Sequence, residues 1–157
     1  MKRIFLILGV LLCLLSACGK EYTATDLLAK ITVLPIHRDA VIYFRGADIE
    51  GSGYLSKETA ELLYSGQNLL PLCDDFALLL GKDDRLFEVH LYHAADGEKA
   101  DAIDLILQQR QSLLLCKDNG LYASDPPNVE VWRKGMWIVL MATDDNPSVK
   151  ELLKKMI

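Results

Sequence analysis

The stretch Leu86-Phe87-Glu88-Val89-His90-Leu91-Tyr92-His93-Ala94 alternates side-chain character for most of its length. Alternation with a period of two predicts a strand, with Phe87, Val89 and Leu91 on one face and Glu88, His90 and Tyr92 on the other. The preceding run Asp75–Gly81 also reads as a strand, and the polar residues Lys82-Asp83-Asp84-Arg85 make the pair a hairpin. A second hairpin is predicted from Val129–Arg133 and Met136–Thr143, turning at Lys134-Gly135. Glu98 to Leu115 predicts a helix, with Ile103, Ile106, Leu107, Leu113 and Leu114 on its apolar face. Asn146-Pro147 opens a last helix through Val149, Leu152, Leu153 and Met156. The order after residue 74 is therefore β-β-α-β-β-α. This is an α+β pattern: an antiparallel sheet of about four strands, helices packed on one face, the other partly solvated. Short helices precede it, Asp26–Thr32 capped by Thr25 and Ser56–Ser65 closed by Gly66. Val41–Phe44 leans towards a short strand, and Gly46–Gly53 reads as a loop.

The chain begins differently. Lys2 and Arg3 precede an uncharged run of 12 residues, Ile4 to Leu15, then the small residues Ser16 and Ala17. That is the order of a secretory signal, and it is shorter than the ~20 apolar residues a spanning helix needs. Leu15-Ser16-Ala17-Cys18 resembles the lipobox of bacterial lipoproteins. The resemblance implies that a diacylglyceryl group is attached to the Cys18 thiol and that residues 1–17 are removed. Two acyl chains suffice for stable anchoring. The expected organisation is a signal peptide over 1–17, a lipid-bearing tether over 18–24 and one α+β domain over 25–157. The lipid on Cys18 is the only non-protein group this implies; no other cofactor is expected.

Of the chain's 17 basic residues two lie in the leader, so the mature part keeps 15 against 22 acidic ones, a net charge near −7. A balance this acidic argues against nucleic acid as a partner and against lying flat on an anionic membrane.

The mature part also resembles a family of small Gram-positive lipoproteins known as a domain of unknown function. The matching residues are Asp74-Asp75-Phe76-Ala77-Leu78, Phe87-Glu88-Val89-His90-Leu91, the helix bearing Arg110, and Met136-Trp137-Ile138-Val139-Leu140 running into Asp144-Asp145. This resemblance implies anchoring on the extracytoplasmic face of a Gram-positive cell membrane and carries over no catalytic residue.

The remaining candidates have competing readings. His90 and His93 are spaced as metal ligands would be on a helix, but in a strand they point to opposite faces, so no metal site is expected. On the bland reading His90 shares the polar face with Glu88 and Tyr92. Cys73 and Cys116 are either a disulfide, which an oxidising compartment permits, or two free thiols in apolar surroundings. Arg110 lies beside the apolar stripe of its helix. It either binds an anion or pairs with an acid such as Asp74 or Asp75. The paired aspartates, including Asp83-Asp84 and Asp144-Asp145, lack the spacing of a calcium loop. Trp132 and Trp137 are expected opposite one another across the second hairpin, either as a stabilising pair or as an exposed platform for a ligand. No catalytic set is recognisable. The sequence therefore favours a non-enzymatic binding or accessory module of the envelope, with a partner protein or small ligand. The alternative is a surface or cell-wall hydrolase whose catalytic residues are dispersed.

Overall fold

Thr23 starts the first helix, α1 (Ala24–Ile31), through a capping box: its hydroxyl accepts from the Asp26 N–H, and the Asp26 carboxylate accepts from the Thr23 N–H. The cap is thus Thr23 and not Thr25, since Asp26 supplies the return bond. The computed structural model describes residues 22–36, 39–82, 87–116 and 128–157. Residues 1–21, with Cys18, and residues 37–38, 83–86 and 117–127 lie outside the described residues, so the expected signal peptide and anchor, His37 and most of the expected 82–85 turn fall there.

After α1 come β1 (Ala40–Phe44), α2 (Lys57–Leu63), a single 3₁₀ turn (Leu70–Leu72), β2 (Cys73–Gly81) and β3 (Glu88–Ala94). The chain continues with α3 (Gly97–Leu115), β4 (Val129–Lys134), β5 (Trp137–Ala142) and α4 (Asn146–Met156). Asp96 caps α3 and Asp145 caps α4, each accepting from a backbone N–H in the first helical turn. Asn146 falls one place inside α4, where its amide instead donates to the Asn128 and Met141 carbonyls.

The fold is α+β, with one open antiparallel sheet in the order β1-β2-β3-β5-β4. It has five strands where about four were expected. The extra one is β1, which pairs along its whole length with β2, from Ala40 opposite Gly81 to Phe44 opposite Ala77.

Helices cover both faces of the sheet, not one. On the first face α2 and α3 pack Ala60, Ile103, Ile106 and Leu107 over Leu78, Ile138 and Leu140. On the second, α1 and α4 pack Leu27, Leu28, Ile31, Val149 and Leu153 over Leu79, Val89, Leu91, Val139 and Met141. The physical reason lies in β2 and β5. Ala77-Leu78-Leu79 and Ile138–Met141 are continuous apolar runs, so both faces demand cover. Fully burying each leucine or isoleucine of α1 is worth ~1.5–3 kcal/mol, which is what draws that helix onto the second face.

The second hairpin differs in register. Its turn is Gly135-Met136, with Lys134 opposite Trp137 and Trp132 opposite Val139. Gly135 has φ +60, which puts glycine first in the two-residue turn. Trp132 and Trp137 are therefore diagonal neighbours on one face, half-buried against the α1–α4 core. They are neither directly opposed nor a fully exposed platform.

Candidate functional site: a polar chain beneath α3 and an open cleft

Strand β3 runs through the middle of the sheet, and its first-face side chains are Glu88, His90 and Tyr92. The sequence placed these on a partly solvated face. Because α2 and α3 cover that face, Glu88 is 6% exposed and His90 and Tyr92 are 0% exposed. Buried polar groups need partners, and two helices supply them. Tyr64, just past the end of α2, brings its hydroxyl within 2.6 Å of His90 Nδ1 and 2.8 Å of the Tyr92 hydroxyl. Arg110 on α3 donates from Nη2 to Glu88 Oε1 at 2.6 Å, with Nε 3.4 Å from Oε2. His90 Nε2 lies 3.1 Å from Glu88 Oε2, within ion-pair range but off the line of a hydrogen bond.

One orientation of protons satisfies the two phenols and Nδ1: Tyr92 donates to Tyr64 and Tyr64 donates to His90 Nδ1, while Nε2 is left beside the carboxylate that Arg110 holds, close to it but without a hydrogen bond. Burial alone would raise the Glu88 carboxyl, but the adjacent His90 and the Arg110 guanidinium outweigh it and hold it at about 2. Burial pushes the Tyr64 hydroxyl well above the ordinary tyrosine value, and the Tyr92 hydroxyl goes up for the same reason. Both phenols stay protonated. The arrangement can orient helices against the central strand. It cannot receive a substrate, because three of its five side chains are at most 2% exposed.

Arg110 thus makes the expected ion pair, but with Glu88 and not with Asp74 or Asp75. Those two lie at the opposite end of the sheet. Asp75 accepts from the Ala24 N–H at 2.6 Å, and Asp74 sits 2.6 Å from His93 Nδ1. His90 and His93 face opposite sides of the sheet, as strand alternation requires. Among the described residues no three His, Cys, Asp or Glu side chains group as a metal would need.

Cys73 and Cys116 are not bridged; both are free thiols. Cys73 opens β2 at one end of the sheet, while Cys116 ends α3, which runs the length of the sheet to the other. Burial pushes the Cys73 thiol up to about 11, so it is protonated and inert. Cys116 is exposed.

An open concavity lies elsewhere among the described residues. Where β1 ends, Phe44, Arg45, Tyr54, Leu55, Leu70 and Phe76 line a cleft of about 300 Å³. Arg45 is tied down by its backbone N–H to the Phe76 carbonyl and by Nη1 to the Cys73 carbonyl at 2.8 Å. Gly53 closes over β1, its carbonyl accepting from the Phe44 N–H at 3.0 Å. It has φ +94, and a Cβ there would stand 2.5 Å from the Phe44 ring. Phe76 also stacks on Tyr92, with ring centroids 6.1 Å apart, so the cleft floor abuts the buried polar chain. Nothing in the sequence singles out Tyr64 or Arg45. Each acts through contacts far along the chain, and only the three glycines of the 46–53 loop hint that a tight approach occurs there.

No family model, no curated protein and no solved structure matches this chain.

Proposed function

We propose that the chain is an exported lipoprotein, anchored by a diacylglyceryl group on Cys18 to the extracytoplasmic face of the cell membrane, and that its α+β domain is a non-enzymatic binding or accessory module. The resemblance to small Gram-positive lipoproteins favours the plasma membrane of such a cell. The observation that carries the reading is the N-terminal sequence: a basic pair, a 12-residue apolar run and Leu15-Ser16-Ala17-Cys18 in the right order. A folded domain takes up the chain almost at once, since Ala24 is already fully buried.

Binding is favoured over hydrolysis because the linked acid–base groups Glu88, His90 and Tyr64 are buried out of a substrate's reach, while the part-exposed His93–Asp74 pair is packed against the Trp137 ring. The cleft beside Arg45 has the makings of a small-ligand site: aromatic and aliphatic walls with Arg45 among the lining residues. The test is fatty-acid labelling in the native host, with mass analysis of the mature N-terminus. Wild type should carry lipid on residue 18 and lack residues 1–17, and Cys18→Ser should do neither. A wild-type protein that keeps its first 17 residues and an unmodified thiol overturns the reading.

A further inference from the structure

The end of the sheet at which the chain enters the domain is fixed by contacts. The Ala24 N–H is held by Asp75, and Asp74 holds His93, which stands opposite Trp137 with its ring 4.8 Å from the indole. The Ala94 N–H donates to the Met136 carbonyl, and Lys134 donates to the carbonyls of Lys154 and Ile157 at the end of α4. One end of the fold thus gathers the entry point, the β4–β5 turn with the 39%-exposed Met136 at its tip, and Arg45 with its cleft. The opposite end carries Cys116, at the far end of the 19-residue α3, a helix about 28 Å long.

Only residues 19–21 lie between Cys18 and Tyr22. Four Cα steps reach at most about 14 Å, whatever their conformation. On the reading that Cys18 is acylated, the entry end cannot stand off from the bilayer. We propose that this end is a membrane-contact surface, with the Met136-Trp137 turn and the half-buried Tyr22 seated in the phospholipid headgroup layer. The side chains suit that layer: tryptophan and tyrosine favour the membrane–water boundary. Four acids at this end have partners within the protein, Asp75 in Ala24, Asp74 in His93, Asp96 in Lys99 and Asp101 in Arg133, which offsets part of the overall acidity there; Glu98 in the first turn of α3 stays exposed. The cleft beside Arg45 then opens beside the headgroups, and Cys116 faces away from the membrane.

The molecule supplies its own probes. Both tryptophans lie in the β4–β5 hairpin, and Trp132→Phe leaves Trp137 alone. In the mature lipoprotein Cys116 is exposed and Cys73 is buried, so a thiol-reactive fluorophore reports on the far end. The lipidated full-length protein, its acyl group confirmed by mass, is placed in phosphatidylcholine vesicles containing headgroup spin-labelled lipid. Trp137 should lose at least half its emission, and a fluorophore on Cys116 almost none. The same domain without residues 1–18, and so without leader or lipid, added to the same vesicles should show neither loss. Quenching of the Cys116 probe, or none at Trp137, on protein shown to be acylated overturns the orientation while leaving the anchor standing. An unacylated Cys18 in protein from its native membrane removes the anchor and this inference with it.

Discussion

Arg110→Ala leaves Glu88 as a carboxylate with 7% of its side chain exposed and its guanidinium partner gone. In the intact fold that carboxyl is held at about 2 against an ordinary 4.5. A depression of that size is worth ~3 kcal/mol of folding stability, shared between Arg110 and His90. Removing one partner of a buried pair generally costs ~3–5 kcal/mol, because the survivor is left desolvated. We therefore expect Arg110→Ala to cost ~3 kcal/mol at neutral pH and to lower Tm by about 10 °C. The sign with pH follows from the direction of the depression. The folded carboxyl lies below the unfolded one, so its contribution is complete above about pH 4.5 and is lost as pH falls towards 2. In the variant, burial is less opposed, the carboxyl takes up its proton sooner, and the gap to wild type narrows across that window. Glu88→Gln should cost less, since Arg110 is 14% exposed and can turn its guanidinium to water. Urea denaturation of all three proteins at several pH values, followed by tryptophan emission, reads these differences. An Arg110→Ala gap that is unchanged between pH 7 and pH 3, or smaller than that of Glu88→Gln, refutes the reasoning.

Strand and helix periodicity made the second half of the fold legible. The alternation at residues 86–94 located β3, and the helical apolar stripe located α3 within one residue of its start. Two kinds of information were not in the pattern. The first is which face of a strand is covered. Glu88, His90 and Tyr92 read as solvent-facing because each is polar, and only the helices arriving from residues 57–63 and 97–115 decide otherwise. The second is pairing between distant residues. Arg110 announced that it needed an acid, since a guanidinium beside an apolar stripe must be paired or reach water. Its choice of Glu88 over Asp74 and Asp75 follows from α3 running antiparallel to β3, so that residue 110 comes back over the start of the strand. The hairpin register turned on one residue. Counting Lys134-Gly135 as the turn set the tryptophans opposite each other, whereas glycine's left-handed φ is used one place earlier in the turn and sets them on a diagonal. Cys73 and Cys116 shared an apolar context that fits a buried thiol as well as a bridge; the length of α3 decides against the bridge.

Three further expectations test the same picture. Tyr64→Phe removes the hydroxyl shared by His90 and Tyr92, leaving two buried polar groups unpaired, and should cost ~2 kcal/mol in chemical denaturation. Tyr92→Phe keeps the Tyr64–His90 bond and should cost clearly less. Gly53→Ala puts a methyl group against the Phe44 ring at a backbone angle that side chains disfavour, so it should lower Tm by several degrees. The last concerns why a small core keeps an ion pair. A buried pair replaced by apolar side chains of similar volume is often no less stable, so Glu88→Leu with Arg110→Met should recover most of the loss seen in Arg110→Ala. If the pair serves to fix α3 on the sheet, the recovered stability comes with looser placement. The helix carries exposed leucines at 105, 113 and 115 beside its buried ones, so its apolar residues alone define one docking face poorly. Amide resonances of α3 should broaden or double in the double variant while those of α1 and α4 on the other face stay sharp. A double variant as stable as wild type with a single sharp set of α3 resonances would show that packing alone seats the helix.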